Sequence, residues 1–205
     1  MTTYTSQPDE TSGIDTYIDS ANATTNFGTS ATAQSGENNA GANNYRLLIK
    51  FDLSSIPTNA IVSSATLSLW TQLDRSTNTR SKDLYRMIQS WTEAGVTWNK
   101  YDGTNNWPGG AGAFGAADCD NAVVWATKSM TGTESVDTEF QWVFDATGRA
   151  ELTKMINGTY TNNGWMLKTQ TETDDAWLFH SATSATSGFR PKLVIEYVLS
   201  GGFFF

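Results

Sequence analysis

YRLLIKFDLSSIPTNAIVSSATLSLW, residues 45–70, followed by LYRMIQSWTEAGVTWNK, residues 84–100, decides the fold class. Tyr45, Leu47, Ile49 and Phe51 alternate with Arg46, Leu48, Lys50 and Asp52. A period of two is the mark of a strand with one face in a core. Ser54-Ser55-Ile56-Pro57 ends the run, because proline has no N–H to give a sheet. Ala65, Leu67 and Leu69 then alternate with Thr66, Ser68 and Trp70, LYRMIQ supplies a third strand, and Trp91 and Trp98 bracket a corner. Slipping any of these strands by one residue would turn its whole apolar row to water. The six side chains Tyr45, Leu47, Ile49, Phe51, Leu67 and Leu69 are therefore expected in the core.

Outward from this stretch the same pattern continues. Residues 1–13 read as a polar N-terminal arm. A strand is expected at 14–19, a turn at 22–30, a short strand near 31–34 and a Gly/Asn-rich loop at 35–44. Residues 101–122 are rich in Gly and Ala and read as a long loop, a type of segment that is usually functional or mobile. Phe140, Trp142 and Phe144 form another inward row. Thr147 suits the N-cap of a short helix over 148–157, with Leu152, Met155 and Ile156 as its apolar stripe and Gly158 as its stop. Strands follow at 165–169, 176–181 and 192–199, with Asp174-Asp175 read as the hairpin turn between the strands of Trp165 and Trp177. About nine strands and one helix at this spacing predict an all-β, antiparallel β-sandwich over 14–199, with an aromatic tail at 200–205.

Composition narrows the function classes. Eight of 205 residues are Trp, and 12% are aromatic, enough to fill a large core. The net charge is −8 with no Lys/Arg cluster, so the basic stripe that phosphate backbones require is missing and nucleic acid is not an expected partner. No stretch has the apolar length of a membrane span. The opening MTTYTSQPDETSG has no hydrophobic signal core, which suggests a protein assembled inside a cell but acting outside it, or a domain of a larger secreted chain. Cys119 is the sole cysteine, so no internal disulfide forms. Asn22 and Asn157 head N-x-T sequons that matter only where the source glycosylates them.

The ordered set DTYIDS, NFG, RLLIKFDLSSIPTNAIVSSATLSLW, WTEAGVTWN, NWPGG, FDAT, NGTYTNNGWMLK and RPKLVIEY resembles the DNRLRE-type domains. These are jelly rolls akin to carbohydrate-binding modules, on microbial surface and phage-associated proteins. The resemblance runs from about Asp15 to Tyr197. It implies an antiparallel jelly roll with 45–70 as a central hairpin and, for some members, attachment to polysaccharide. It implies no catalytic site.

Several constellations carry chemistry. A serine triad would have to use His180, the one histidine, and a lone strand histidine is ordinarily packed; a non-enzyme is expected. Calcium takes six to eight oxygens, and two acidic sets qualify as candidates: Asp15, Asp19 and Asp145 at a sandwich edge, or Asp118 and Asp120 beside Asn121. Sugar binding calls for exposed aromatic faces with polar neighbours. Trp107, Tyr101 and Trp125, in or beside the long loop, are the candidates, while Trp91 and Trp98 are expected to pack the corner. Phe203, Phe204 and Phe205 follow a Gly-Gly hinge and are expected to dock on another subunit, itself or a partner. Two functions fit: a non-catalytic phage virion decoration or appendage protein on a particle or extracellular surface, which the tail and the missing signal favour, or a carbohydrate-binding module or adhesin domain of a secreted or surface protein.

Overall fold

The computed structural model describes residues 1–38, 43–75, 77–173 and 175–201. Among them are eleven strands: β1 (Thr2–Ser6), β2 (Ile14–Asp19), β3 (Thr32–Asn38), β4 (Asn43–Lys50), β5 (Ala60–Asp74), β6 (Arg80–Met87), β7 (Cys119–Met130), β8 (Glu139–Val143), β9 (Trp165–Thr169), β10 (Trp177–His180) and β11 (Lys192–Leu199). One helix, α1 (Ala146–Ile156), stands between β8 and β9. No helix among the described residues is long and apolar enough to cross a membrane.

The strands make two layers, and every pairing between them is antiparallel. One layer runs β1-β11-β5-β8. The other runs β2-β4-β9-β6-β7, with β3 beside the start of β4. The short strand β10 pairs β3 on one side and the end of β5 on the other, so the two layers join into one curled sheet. This is the expected antiparallel sandwich with one helix.

All six predicted core side chains are buried. Between the layers pack Leu47, Ile49, Phe51, Leu67 and Leu69 with Trp125, Trp142, Trp165, Trp177, Phe179 and Ile195. Each such indole removes roughly 150–250 Å² from water. The rings meet edge to face, Trp125 on Trp165 at 5.9 Å and Trp142 on Phe179 at 5.9 Å. Leu152, Met155 and Ile156 of α1 reach the same core.

Five details depart from the expectations. Thr2–Ser6, expected in a free arm, is strand β1, paired along β11. Strand β7 was read partly as loop. Residues 45–70 are no hairpin: β4 lies in one layer and β5 in the other. Asp175 is no hairpin turn, because β9 pairs β4 and β6 while β10 pairs β3 and β5; residue 174 lies outside the described residues. The helix cap is Asp145, whose Oδ1 accepts from the Gly148 N–H at 2.7 Å, rather than Thr147. Phe203, Phe204 and Phe205 also lie outside the described residues.

Candidate functional site

Residues 88–118 fold back across the outer face of the second layer and bury a second apolar cluster there. It contains Ile18, Leu48, Met87, Trp91, Val96, Trp107, Cys119 and Met166. Leu48 has no exposed surface, although its place in the alternation puts it on the outward row. Trp91 packs the corner as expected, its Nε1 donating to the Asn163 carbonyl at 2.9 Å. Trp98 is half-buried beneath the Arg46 guanidinium, 4.7 Å from the ring centre. Arg46 also forms a two-pronged ion pair with Glu172, both bonds 2.9 Å, and donates to the Gly112 carbonyl at 2.6 Å. One arginine thus clamps the loop to β4.

This loop does not present the expected aromatic platform. Trp107 is 3% exposed, and its Nε1 donates to the Thr97 carbonyl at 3.0 Å. Trp125 has no exposure at all and belongs to the central core. Both are corrections: each ring found an apolar layer to fill, and neither shows a face to solvent. Tyr101 is half-buried and leans edge-on against Trp107 at 5.9 Å. Beside them lies a shallow hollow of about 380 Å³, lined by Asn99, Lys100, Asn106, Trp107, Gly110 and Ala111.

A larger groove lies at the rim where β2, β4 and α1 meet. It measures about 470 Å³, and Ile14, Leu53, Met155 and Ile156 supply the aliphatic part of its lining. Lys50, Asp52, Ser12, Ser54 and Asn162 add an amine, a carboxylate, hydroxyls and an amide. Ser12 and Asp52 also border a second hollow of about 380 Å³ lined by Tyr4, Gln7 and Ser55 among others, so the two are neighbours. The fold builds the walls locally. Ile14 and Lys50 are register partners at the ends of β2 and β4. Asn162 donates to the Phe51 carbonyl at 2.8 Å, and Tyr4 donates its phenol to the Asp52 carbonyl. The Ser54 N–H, 2.9 Å from Asp52 Oδ1, holds that carboxyl below its ordinary range. Sequence reading missed this groove because its parts come from residues 4–14, 50–55 and 155–162, none carrying a motif.

The candidate calcium ligands disperse into structural roles. Asp145 caps α1. Asp19 accepts from the Ala21 N–H and the Asn22 amide. Asp118 accepts from the Gly109 N–H at 2.9 Å, and Asp120 pairs with Arg86 at 3.0 Å. Asp15 Oδ1 accepts from the Ala182 N–H at 3.0 Å. Burial, with the nearby Glu93 carboxylate adding to it, pushes the Asp15 carboxyl up to about 7. Among the described residues no three His, Cys, Asp or Glu side chains gather to hold a metal ion.

His180 does meet an aspartate and a serine. Its Nε2 lies 2.8 Å from Asp137 Oδ1 and its Nδ1 lies 3.2 Å from Ser184 Oγ. Ser184 is 4% exposed, however, and none of the hollows described above borders it. The three side chains clip the segment before β8 to the segment after β10. Burial pushes the Cys119 thiol up to about 12, which leaves it unreactive as a nucleophile.

A search of curated proteins gave no match. Residues 6–106 match Carbohydrate-binding module family 96, a stretch that includes β2 to β6, most of the rim groove's polar wall and the Trp91–Trp98 corner. Over this stretch, just under half of its length, the chain is similar to a non-catalytic carbohydrate-binding module.

Proposed function

We propose that the chain is a polysaccharide-binding module that lays a sugar chain along the rim groove. The match over residues 6–106 carries this reading. The groove supports it by its chemistry: sugar hydroxyls need amide, carboxylate and amine partners, and the less polar ring faces need an apolar floor. Lys50, Asp52 and Asn162 share the lining with Ile14, Leu53 and Met155. Two neighbouring open hollows that share Ser12 and Asp52 suit successive units of a chain ligand better than a single small molecule. On this reading the protein works outside the cell or on a particle surface.

The decoration of a virion rested on the tail Phe203–Phe205, and neither the groove nor the match adds to it. Native gels cast with soluble polysaccharides test the proposal. Neutral glucans, mannans and polyuronates should be run side by side, and at least one should retard the protein. A Lys50→Ala/Asp52→Ala double variant should weaken that retardation about tenfold or more while leaving the thermal midpoint near the parent's. Retardation by none of the polymers would remove the proposal. Retardation unchanged in the variant would move the site to the Asn99–Asn106 hollow.

A further inference from the structure

We propose that the Lys82 amine and the Asp175 carboxyl condense spontaneously into an intramolecular isopeptide bond. Lys82, on β6, has no exposed surface, and neither has Asp175, just before β10. The Lys82 Nζ donates to the Ser35 carbonyl at 2.9 Å, to Thr169 Oγ1 at 2.6 Å and to the main-chain carbonyl of Asp175 at 3.3 Å. The Trp177 ring shields it, its centre 4.3 Å away. The Asp175 carboxyl has one oxygen, Oδ1, bonded by the Glu37 N–H at 2.6 Å. Its other oxygen, Oδ2, is buried with no hydrogen-bond partner.

This arrangement differs from that of an ordinary buried ion pair. In such a pair the ammonium would sit on the carboxylate and satisfy it. Here the amine rests on the backbone carbonyl of the same residue, and one carboxyl oxygen is left over. The Asp175 carboxyl forms no ion pair with Nζ, so bond formation requires a rotation about the Asp175 side-chain bonds that brings Cγ to the amine. Burial lowers the proton affinity of Lys82 and raises that of Asp175, so the low-dielectric core favours the free amine and the neutral acid. These are the reactive forms for amide formation.

The step balances without a co-reactant. The Nζ lone pair forms a bond to Asp175 Cγ, the C–OH bond breaks, and one water leaves. The amine proton passes to the departing hydroxyl. The Thr169 hydroxyl, which touches the amine and lies beside the carboxyl, offers the path. The product replaces two ionisable groups in the core with one neutral amide. It ties β6 to the crossover into β10, the strand that joins the two layers.

Intact-mass spectrometry of the denatured full-length protein decides the matter. The chain should be lighter than its calculated mass by one water, and digestion should yield a branched peptide joining Lys82 to Asp175. Lys82→Arg should run at its full calculated mass. A parent chain at full mass overturns the proposal and leaves Lys82 as a hydrogen-bonded staple. A water loss that persists in Lys82→Arg, or that maps to other residues, overturns it equally.

Discussion

Trp107 shows how one residue can carry the right chemistry in the wrong place. Its indole suits a sugar face, yet it is enclosed under the loop with its N–H bonded to Thr97. Trp107→Ala should therefore cost roughly 3–5 kcal/mol, as for other buried Trp truncations, and a urea titration would show it as a lower midpoint. A ligand platform would instead lose binding at unchanged stability. Asp15 offers a second test. Its ordinary value of 3.8 is raised to about 7 in the fold, so between these two pH values the folded chain holds a proton that the unfolded chain releases. Folding is favoured by this group below about pH 4, and the contribution is lost as pH rises through about 7. The stability of the parent should fall across that window by an amount on the order of a few kcal/mol. Asp15→Asn keeps an acceptor for Ala182 and should flatten the profile in denaturant melts at the two ends of the window.

At the scale of elements, Arg46 ties the loop over the second layer to β4. The guanidinium joins β4, Glu172, Gly112 and the Trp98 ring in one contact set. Arg46→Met keeps the aliphatic stem and removes the clamp. Amide hydrogen exchange should then speed up in residues 98–114, while β9 and β11 keep their protection. Faster exchange throughout would show that the loop is part of the global folding unit. Strand β3 switches partners at Gly36, pairing β10 before it and β4 after it. Gly36 has φ +122°, and a Cβ there would lie 2.2 Å from the Asp175 carbonyl oxygen. Gly36→Ala should destabilise the fold by more than the about 1 kcal/mol associated with glycine's backbone entropy, read as a lower melting temperature. The switch could not be read from SGENNAGANN, where several glycines and asparagines offer the same freedom.

At the scale of the whole molecule, β5 and β10 make the two layers one unit. β5 pairs β11, β8 and β10 along its fifteen residues, and β10 carries the sheet onward to β3. Neither layer can open without exposing the shared indole core. Calorimetry should give one transition with equal calorimetric and van't Hoff enthalpies. Two transitions would mean that the layers, or the loop cluster, melt separately.

Alternation and turn chemistry by themselves determined that this chain is an antiparallel sandwich, which rows face inward, and roughly where the helix lies. Those are local properties: a period of two and a proline act over a few residues, whatever the rest of the chain does. Strand partners were decided by tertiary structure alone. β4 and β5 are neighbours in sequence yet lie in opposite layers, because each layer buries its apolar face against the other. The fates of Leu48 and Trp107 under the loop were decided in the same way, and Trp125 went instead to the core between the layers. Any outward row becomes interior once a loop covers it, and periodicity carries no signal for a cover that arrives from forty residues away. The rim groove has the same origin, since its walls come from three distant segments that meet only when the sandwich closes.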